Sequence, residues 1–249
     1  MTSLKPCIIF AAGTYFGNEP CADELPGDAF VVAADGGLDH ARTLGLRPNL
    51  VIGDFDSTQT QIPQGVETIQ LPPEHDDPDM LSALKAAWSR GYRDFRIYGG
   101  LGGRIDHTIA NIQMLALLAH NGGHGMLFGE HTVVTAICNG SLSFASDALK
   151  DDAANRMVSV FSHADTSYGV SETGLKYELD NGTMRSDTVL GVSNELLDER
   201  PASISVSDGT LIVTFPFEAT LPTSKTNIKA SETLGPLASH VSALLNKSR

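Results

Sequence analysis

Basic residues are scarce in this sequence, which has 17 Lys and Arg against 30 Asp and Glu over 249 residues. The formal net charge is therefore −13. Nucleic acids and anionic membranes attract proteins through basic surfaces, so this balance argues against either as the main partner. A nucleotide substrate is still compatible with the charge, because carboxylates can hold the metal ion that accompanies its phosphates.

Cysteine and long apolar runs are scarce as well. The three cysteines are odd in number and form no CxxC motif, so the sequence predicts neither a disulfide framework nor a zinc site. No stretch reaches the ~18 apolar residues of a membrane span. The apolar run that begins at Pro6 is short for a signal peptide. We therefore expect a cytoplasmic protein that binds neither nucleic acid nor membrane.

Residues 1–137 alternate short apolar runs with helical patterns. The predicted strands cover residues 6–12, 30–34, 49–52, 66–71 and 95–98. The predicted helices cover residues 38–44, 80–88 and 109–119. Such alternation is typical of a parallel sheet with helices on both faces, so we predict an N-terminal, Rossmann-like parallel α/β domain.

Residues 138–249 show a different pattern. Short strand-like runs occur at residues 157–162, 174–179, 189–192, 203–206 and 211–215. The segment 207–210 between the last two runs predicts a hairpin turn. Serines alternate with apolar residues around Ile204, as on a sheet with one solvated face. This half predicts an antiparallel β domain, followed from about residue 220 by a polar tail.

Acidic residues collect where the predicted strands end, and a glycine-rich segment with one arginine follows the last of these strands. The residues concerned are Asp35, Gly36, Gly37, Asp54, Asp56, Asp76, Asp79, Gly103, Arg104, Asp106 and His107. In an open parallel sheet, the carboxyl ends of the strands line the crevice where ligands bind. The sequence therefore predicts one edge that combines carboxylates, flexible backbone and a guanidinium group.

Each part of this edge suits metal and phosphate binding. Asp54 and Asp56 are two residues apart, so in extended backbone both carboxylates face the same way and can hold Mg²⁺. Glycine pairs allow backbone N–H groups to approach phosphate, and Arg104 offers a planar fork of donors. Asp77 is predicted to cap the next helix, with Pro78 in its first position. Each motif alone is commonly a turn, a cap or a surface residue. The prediction depends on their coincidence, because clustered carboxylates repel one another unless a cation is bound.

These motifs resemble those of the thiamine pyrophosphokinase (thiamine diphosphokinase) family. The matching stretches are ADGG at 34–37, GDFDS at 53–57, Asp76-x-x-Asp79, GGRIDH at 102–107, TGLKY at 173–177 and GVSNE at 191–195. Their order and spacing fit from about residue 30 to 215. The resemblance implies a β-sandwich as the second domain, and a homodimer with active sites between subunits.

The resemblance also implies a reaction, in which ATP and Mg²⁺ transfer a diphosphate group to the hydroxyethyl oxygen of thiamine and AMP is released. The residues that it implicates fall into four groups. The metal site contains Asp35, Asp54, Asp56 and Asp79; the nucleotide side contains Asp35, Gly36, Gly37, Asp76, Gly103, Arg104, Asp106 and His107; the catalytic residues are Asp54, Asp56, Asp79, Arg104 and Asp106; thiamine is bound by Tyr177, Ser193 and Asn194. The general base is left open between Asp56, Asp79 and Asp106.

Two departures from the family pattern and three alternatives accompany this interpretation. Pro78 stands where the family usually has Thr, so any role of that hydroxyl is absent, and the tail after about residue 220 extends beyond the part that matches the family, so its role is open. The alternatives are a diphosphokinase of another hydroxymethyl heterocycle such as a pterin, a metal-dependent phosphohydrolase with Asp54 as nucleophile, and a non-enzymatic ligand sensor.

Overall fold

The computed structural model describes residues 5–55, 61–149, 153–238 and 240–241. The chain forms two compact units. The first contains Met1–His107 and Glu232–Arg249, and the second contains Thr108–Ser231. In the described part of the chain, no helix has the length and apolar character needed to cross a membrane.

The first unit is built on a parallel sheet. Its strands are β1 (Pro6–Phe10), β2 (Phe30–Ala34), β3 (Leu50–Gly53), β4 (Glu67–Gln70) and β5 (Asp94–Tyr98). They lie in the order β5-β1-β2-β3-β4, and every neighbouring pair is parallel. The helices are α1 (Gly37–Thr43), α2 (Asp79–Ser89) and the start of α3 (Ile105–His120), with a 3-10 turn at Ala22–Glu24.

Continuous apolar runs explain why the central strands are buried on both faces. Every residue of β1 is buried, and so is every residue of β3. In a parallel sheet covered by helices, such runs do not alternate with polar residues. The edge strand β4 is mostly exposed and polar. On α2, Trp88 is buried and its ring stacks on Phe95 of β5 at a centroid distance of 6.2 Å.

The second unit is an antiparallel arrangement of strands. They are β6 (His124–Phe128), β7 (Thr132–Phe144), β8 (Met157–Ser162), β9 (Thr166–Thr173), β10 (Leu179–Arg185), β11 (Asn194–Glu195), β12 (Ala202–Pro216) and β13 (Thr223–Thr226). Their main order is β10-β9-β12-β7-β6, with β8 on β12, β11 on β8, and β13 on β7. The molecule is thus a mixed α/β protein, rich in sheet.

Two long strands organise this unit, because β12 pairs with β7 over almost its whole length. The first half of β12 also pairs with β9, and the second half pairs with β8. The register shifts between Val206 and Thr210, where the Gly209 amide donates to Asn139 Oδ1 of β7 at 2.9 Å. The predicted hairpin at 207–210 is therefore wrong. The Asp208-Gly209 pair forms an irregularity inside one strand, because the partner strand supplies hydrogen bonds across it.

Two further predicted strands of the second half are also wrong. Residues 174–178 form a bend between β9 and β10, which begins only at Leu179, with an isolated bridge between Leu175 and Leu196. Residues 189–192 are not in a strand, and Val189 is 82% exposed. Apolar residues in both segments imitate a strand pattern although no continuous partner lies beside them.

The sequence pattern changes at residue 137, but the two compact units of the structure are not divided at that position. That position lies inside β7, which continues without a break to Phe144. The antiparallel pairing of β6 with β7 keeps residues 124–128 with the second unit. Residues 232–238 belong to the first unit although they follow the β strands of the second.

Candidate functional site

The ends of β2 and β3 bring Asp35 and Asp54 to neighbouring positions in the sheet. Asp35 is 7% exposed, and its amide donates to Ile52 O at 2.8 Å. The two chains are so close that a Cβ on Gly53 would lie 3.0 Å from the Asp35 Cα. The parallel strands thus deliver both predicted ligands to one edge. Asp56 lies outside the described residues.

Phe55 anchors the chain directly after Asp54. It has a φ of 64°, in the left-handed region that few non-glycine residues adopt. Its ring packs against a buried cluster that contains Ala33, Leu38 and Val51. The ring is half-buried against this cluster, so Asp54 lies between a strand on one side and a packed aromatic residue on the other.

The loop after β4 carries the third acidic motif. The loop begins beside the end of β3, because the Leu71 amide donates to Gly53 O at 2.9 Å. His75 Nδ1 donates to Pro72 O at 2.8 Å, and His75 Nε2 lies 3.6 Å from Asp79 Oδ1. The side chain of His75 is only 9% exposed. No local sequence pattern marks the burial of His75, so sequence reasoning missed it.

Asp77 has a different position from the one predicted. The residue that precedes α2 is Pro78, and no side chain caps the helix. The Asp77 carboxylate instead accepts a hydrogen bond from Lys85 Nζ at 2.6 Å and one from the Ala238 amide at 3.3 Å. The predicted cap is therefore wrong, because a lysine on the helix and the C-terminal part of the chain bind this carboxylate.

Glycines at this edge also allow close packing of the backbone. A Cβ on Gly37 would lie 2.0 Å from Phe10 O, so α1 can approach β1 only with glycine there. Gly102 lies beside Thr14 and Phe16 of the loop that follows β1. That loop was missed as part of the edge, although it follows the carboxyl end of a parallel strand. The predicted phosphate contacts of Gly36, Gly37 and Gly103 stay predictions.

Arg104 and Asp106 bind each other. Arg104 Nη2 lies 2.5 Å from Asp106 Oδ2, and Arg104 Nε donates to Asp106 Oδ1 at 3.2 Å. The hydrogen bond from Arg104 lowers the pKa of the Asp106 carboxyl, and the same bond raises the pKa of Arg104. The His107 amide donates to Asp106 Oδ1 at 3.0 Å. All three residues are exposed, so the pair is accessible to a ligand.

In the second unit, Asn194 is buried and binds the turn that contains Tyr177. Asn194 Oδ1 accepts from the Tyr177 amide at 3.0 Å, and Asn194 Nδ2 donates to Tyr177 O at 2.7 Å. The same nitrogen donates to Glu172 Oε2 at 3.0 Å. Asn194 therefore holds the turn in place, while the ring of Tyr177, 65% exposed, is free to face a ligand.

Charged residues surround this turn. Lys176 Nζ binds Glu195 Oε1 at 2.6 Å and lies 5.7 Å from the centre of the Tyr177 ring. Burial raises the pKa of the Glu172 carboxyl, whereas the hydrogen bond from Asn194 opposes that rise. Sequence reasoning missed Glu172, since only its burial distinguishes it from other acidic residues. Ser193 is exposed, with a φ of 61°.

The donors at the first unit's edge suit Mg²⁺ by their chemistry. Within residues 5–55, 61–149, 153–238 and 240–241, no three His, Cys, Asp or Glu side chains are arranged to hold a metal ion. Mg²⁺ is usually bound by one or two carboxylates together with phosphate oxygens and water. Asp35 and Asp54 offer hard oxygen donors at adjacent strand ends, so they fit a cation that arrives with a phosphate ligand.

The strand order defines an α/β protein whose acidic residues Asp35 and Asp54 follow the carboxyl ends of parallel strands, the position where ligands bind in sheets of this type. Residues 22–124 match the family model described as thiamin pyrophosphokinase, catalytic domain. Residues 148–211 match the one described as thiamin pyrophosphokinase, vitamin B1 binding domain. The chain therefore belongs to the thiamin pyrophosphokinase family.

Relatives with the same name support this assignment. Thiamine pyrophosphokinase of Bacillus subtilis (strain 168) is 27% identical over 187 residues, which cover 73% of this chain and 85% of the relative. Thiamin pyrophosphokinase 1 of Caenorhabditis elegans is 24% identical over 155 residues; the match covers 60% of this chain and only 63% of that relative's length. The crystal structure of the Bacillus subtilis protein has the same fold, with a TM-score of 0.74, 24% identity, and coverage of 85% of this chain and 99% of that one.

Proposed function

We propose that this protein is a thiamine diphosphokinase, which transfers a diphosphate group from ATP to thiamine and releases AMP. One observation carries the proposal. A catalytic-domain match over residues 22–124 is followed by a vitamin B1 binding-domain match over residues 148–211, and the acidic strand ends lie within the first. The second match also disfavours a pterin as acceptor, because a pterin kinase has no need of a thiamine-binding domain.

ATP would bind at the edge formed by the first unit. Asp35 and Asp54, with Asp56 and Asp79, would hold Mg²⁺, and Asp76 would support them. Mg²⁺ bound there would neutralise charge on the phosphate oxygens and on the leaving AMP. Arg104 and the backbone around Gly36, Gly37 and Gly103 would bind phosphate oxygens directly.

Thiamine would bind through the second unit. The exposed ring of Tyr177 offers a flat face to the cationic thiazolium, an arrangement that favours binding of a cation. Ser193 lies next to the buried Asn194 and would contact the pyrimidine ring. Asn194 itself would act by positioning Tyr177, because its amide already binds the backbone of that residue.

The reaction needs alignment more than covalent help from the protein. The thiamine hydroxyl oxygen attacks the β-phosphorus, the bond between that phosphorus and the oxygen bridging to the α-phosphorus breaks, and AMP leaves with that oxygen. The hydroxyl proton goes to a carboxylate near the nucleophile, for which Asp56, Asp79 and Asp106 are the candidates. Positioning and charge stabilisation would supply most of the rate enhancement.

The proposal includes four finer points. The first unit would be Rossmann-like and the second a β-sandwich. The active protein would be a homodimer with active sites between subunits, and it would act in the cytoplasm.

Product analysis tests the proposal directly. The purified protein is incubated with thiamine, ATP and Mg²⁺, and thiamine diphosphate and AMP are measured by mass spectrometry. We expect both products in equal amounts, and neither without Mg²⁺. A parallel reaction with a hydroxymethylpterin separates the two acceptors. Inorganic phosphate released without an organic product would instead indicate a phosphohydrolase.

A further inference from the structure

The C-terminal segment, residues 232–238, contacts the acidic loop that follows β4. The Ala238 amide donates to Asp77 Oδ2 at 3.3 Å. Lys85 Nζ connects the same two parts, because it donates to Asp77 Oδ2 at 2.6 Å and to Pro236 O at 2.9 Å. The Asp77 and Lys85 side chains are only 13% and 12% exposed. These contacts join the loop, α2 and the C-terminal segment at one point.

The start of α2 lacks a local cap. Pro78 has no amide hydrogen to donate, and no side chain caps the start of α2. The loop also concentrates four carboxylates in six residues, at positions 74, 76, 77 and 79, which repel one another. Lys85 places one positive charge among them. Helical side chains lean toward the helix N-terminus, which explains how Lys85 reaches back to Asp77.

In the sequence, Asp77 lies between Asp76 and Asp79, the two acidic residues proposed to act in binding Mg²⁺ and the diphosphate. Asp77 is adjacent to Asp76 and two residues before Asp79, so a shift of Asp77 would move both neighbours. Removal of a group that holds a metal ligand in position by a hydrogen bond commonly lowers metal affinity by about 10–100-fold.

We infer that the C-terminal segment and Lys85 position the acidic loop for metal binding through Asp77. Lys85 and Ala238 are positioning residues, since they act through Asp77 and not on the substrate. The inference rests on the proposed function, and it assigns a role to a segment that lies beyond both family matches.

Two variants test it in the full-length protein. Lys85→Met keeps most of the side-chain stem and removes the ammonium group, and Ala238→Pro removes the amide donor. Hydrogen exchange of the amides in residues 74–79 measures how strongly the contacts of Asp77 restrain the loop. Electron paramagnetic resonance of Mn²⁺, titrated with ATP present, measures metal affinity without turnover. We expect faster exchange in both variants and about tenfold weaker Mn²⁺ binding, with the KM for thiamine changed less than about twofold.

Lys85→Arg should restore much of the Mn²⁺ affinity, and Lys229→Met, at an exposed lysine, serves as the matched control. Unchanged hydrogen exchange in residues 74–79 would disprove the claim that Lys85 and Ala238 restrain the loop. Faster exchange with unchanged Mn²⁺ affinity would show a purely structural contact and overturn the inference. If the unmodified protein forms thiamine diphosphate normally, either result refutes the positioning role alone. Lack of both Mn²⁺ binding and product in the unmodified protein would refute the proposed function itself, and the inference with it.

Discussion

Substitution of Asn194 by alanine would remove the contacts that hold the Tyr177 turn. Asn194 makes three hydrogen bonds to other segments, two with the Tyr177 backbone and one with Glu172, at 2.7–3.0 Å. A net value of about 1 kcal/mol for each bond gives a loss of about 3 kcal/mol in the free energy of unfolding. The loss is not reduced by solvent, because Asn194 is 4% exposed and water cannot readily replace the amide.

Urea unfolding can locate this loss as well as measure it. The single tryptophan, Trp88, lies in the first unit, so its fluorescence reports on that unit. Far-UV circular dichroism also reports on the strands of the second unit. We expect Asn194→Ala to shift the dichroism transition to lower urea more than the fluorescence transition. Asn227→Ala, at an exposed asparagine, is the control. A change below about 1 kcal/mol, the value of a single hydrogen bond, would refute the argument that Asn194 anchors the turn.

Asn194→Asp adds a pH test to the same site. The variant keeps the acceptor for the Tyr177 amide, loses the donor, and places a second carboxylate beside Glu172. Burial already raises the pKa of Glu172, so the folded state holds this proton up to a higher pH than the unfolded state does. Stability therefore falls as pH rises above the ordinary glutamate pKa of about 4.3. We expect the free energy of unfolding of Asn194→Asp to differ less from that of the unmodified protein at pH 5 than at pH 8. Equal differences at the two pH values would contradict the proximity of the two carboxylates.

Three further predictions concern turnover, substrate affinity and packing. Asp54→Asn should lower kcat by on the order of 10²-fold with an unchanged fold, the scale of losing a main electrostatic stabiliser, and near-normal kinetics would exclude a metal role. Tyr177→Ala should raise the KM for thiamine more than the KM for ATP, and equal effects in steady-state assays would place the ring elsewhere. Gly37→Ala should lower the free energy of unfolding by about 1–3 kcal/mol through the clash with Phe10 O, whereas Gly27→Ala, with open space around it, should not; similar melting curves would contradict the close approach.

The parallel sheet could be predicted from sequence because its signals are local. The β2 run FVVAA occupies residues 30–34 in both the prediction and the structure, since a buried strand in such a sheet is a continuous apolar stretch. The same locality brought Asp35 and Asp54 to one edge. Each follows its strand directly, and parallel strands end on the same side.

Non-local contacts explain what the sequence could not reveal. Ser207 to Gly209 has the composition of a hairpin turn, but β7 pairs on both sides of it and Asn139 binds the Gly209 amide from 70 positions away. Asp77 has the composition of a helix cap, but its partner amide on Ala238 is 161 positions away. A local pattern cannot predict a turn or a cap when a distant segment offers a better hydrogen bond.

In the proposed function, the ion pair between Arg104 and Asp106 would make phosphate binding an exchange of partners and not a simple addition. A phosphate bound as proposed would compete with the Asp106 carboxylate for the N–H donors of Arg104. Such an exchange would cost little, because an exposed ion pair in water contributes only a small free energy. A displaced Asp106 carboxylate would become available when phosphate binds Arg104, so the arrival of one group would be coupled to the release of the other.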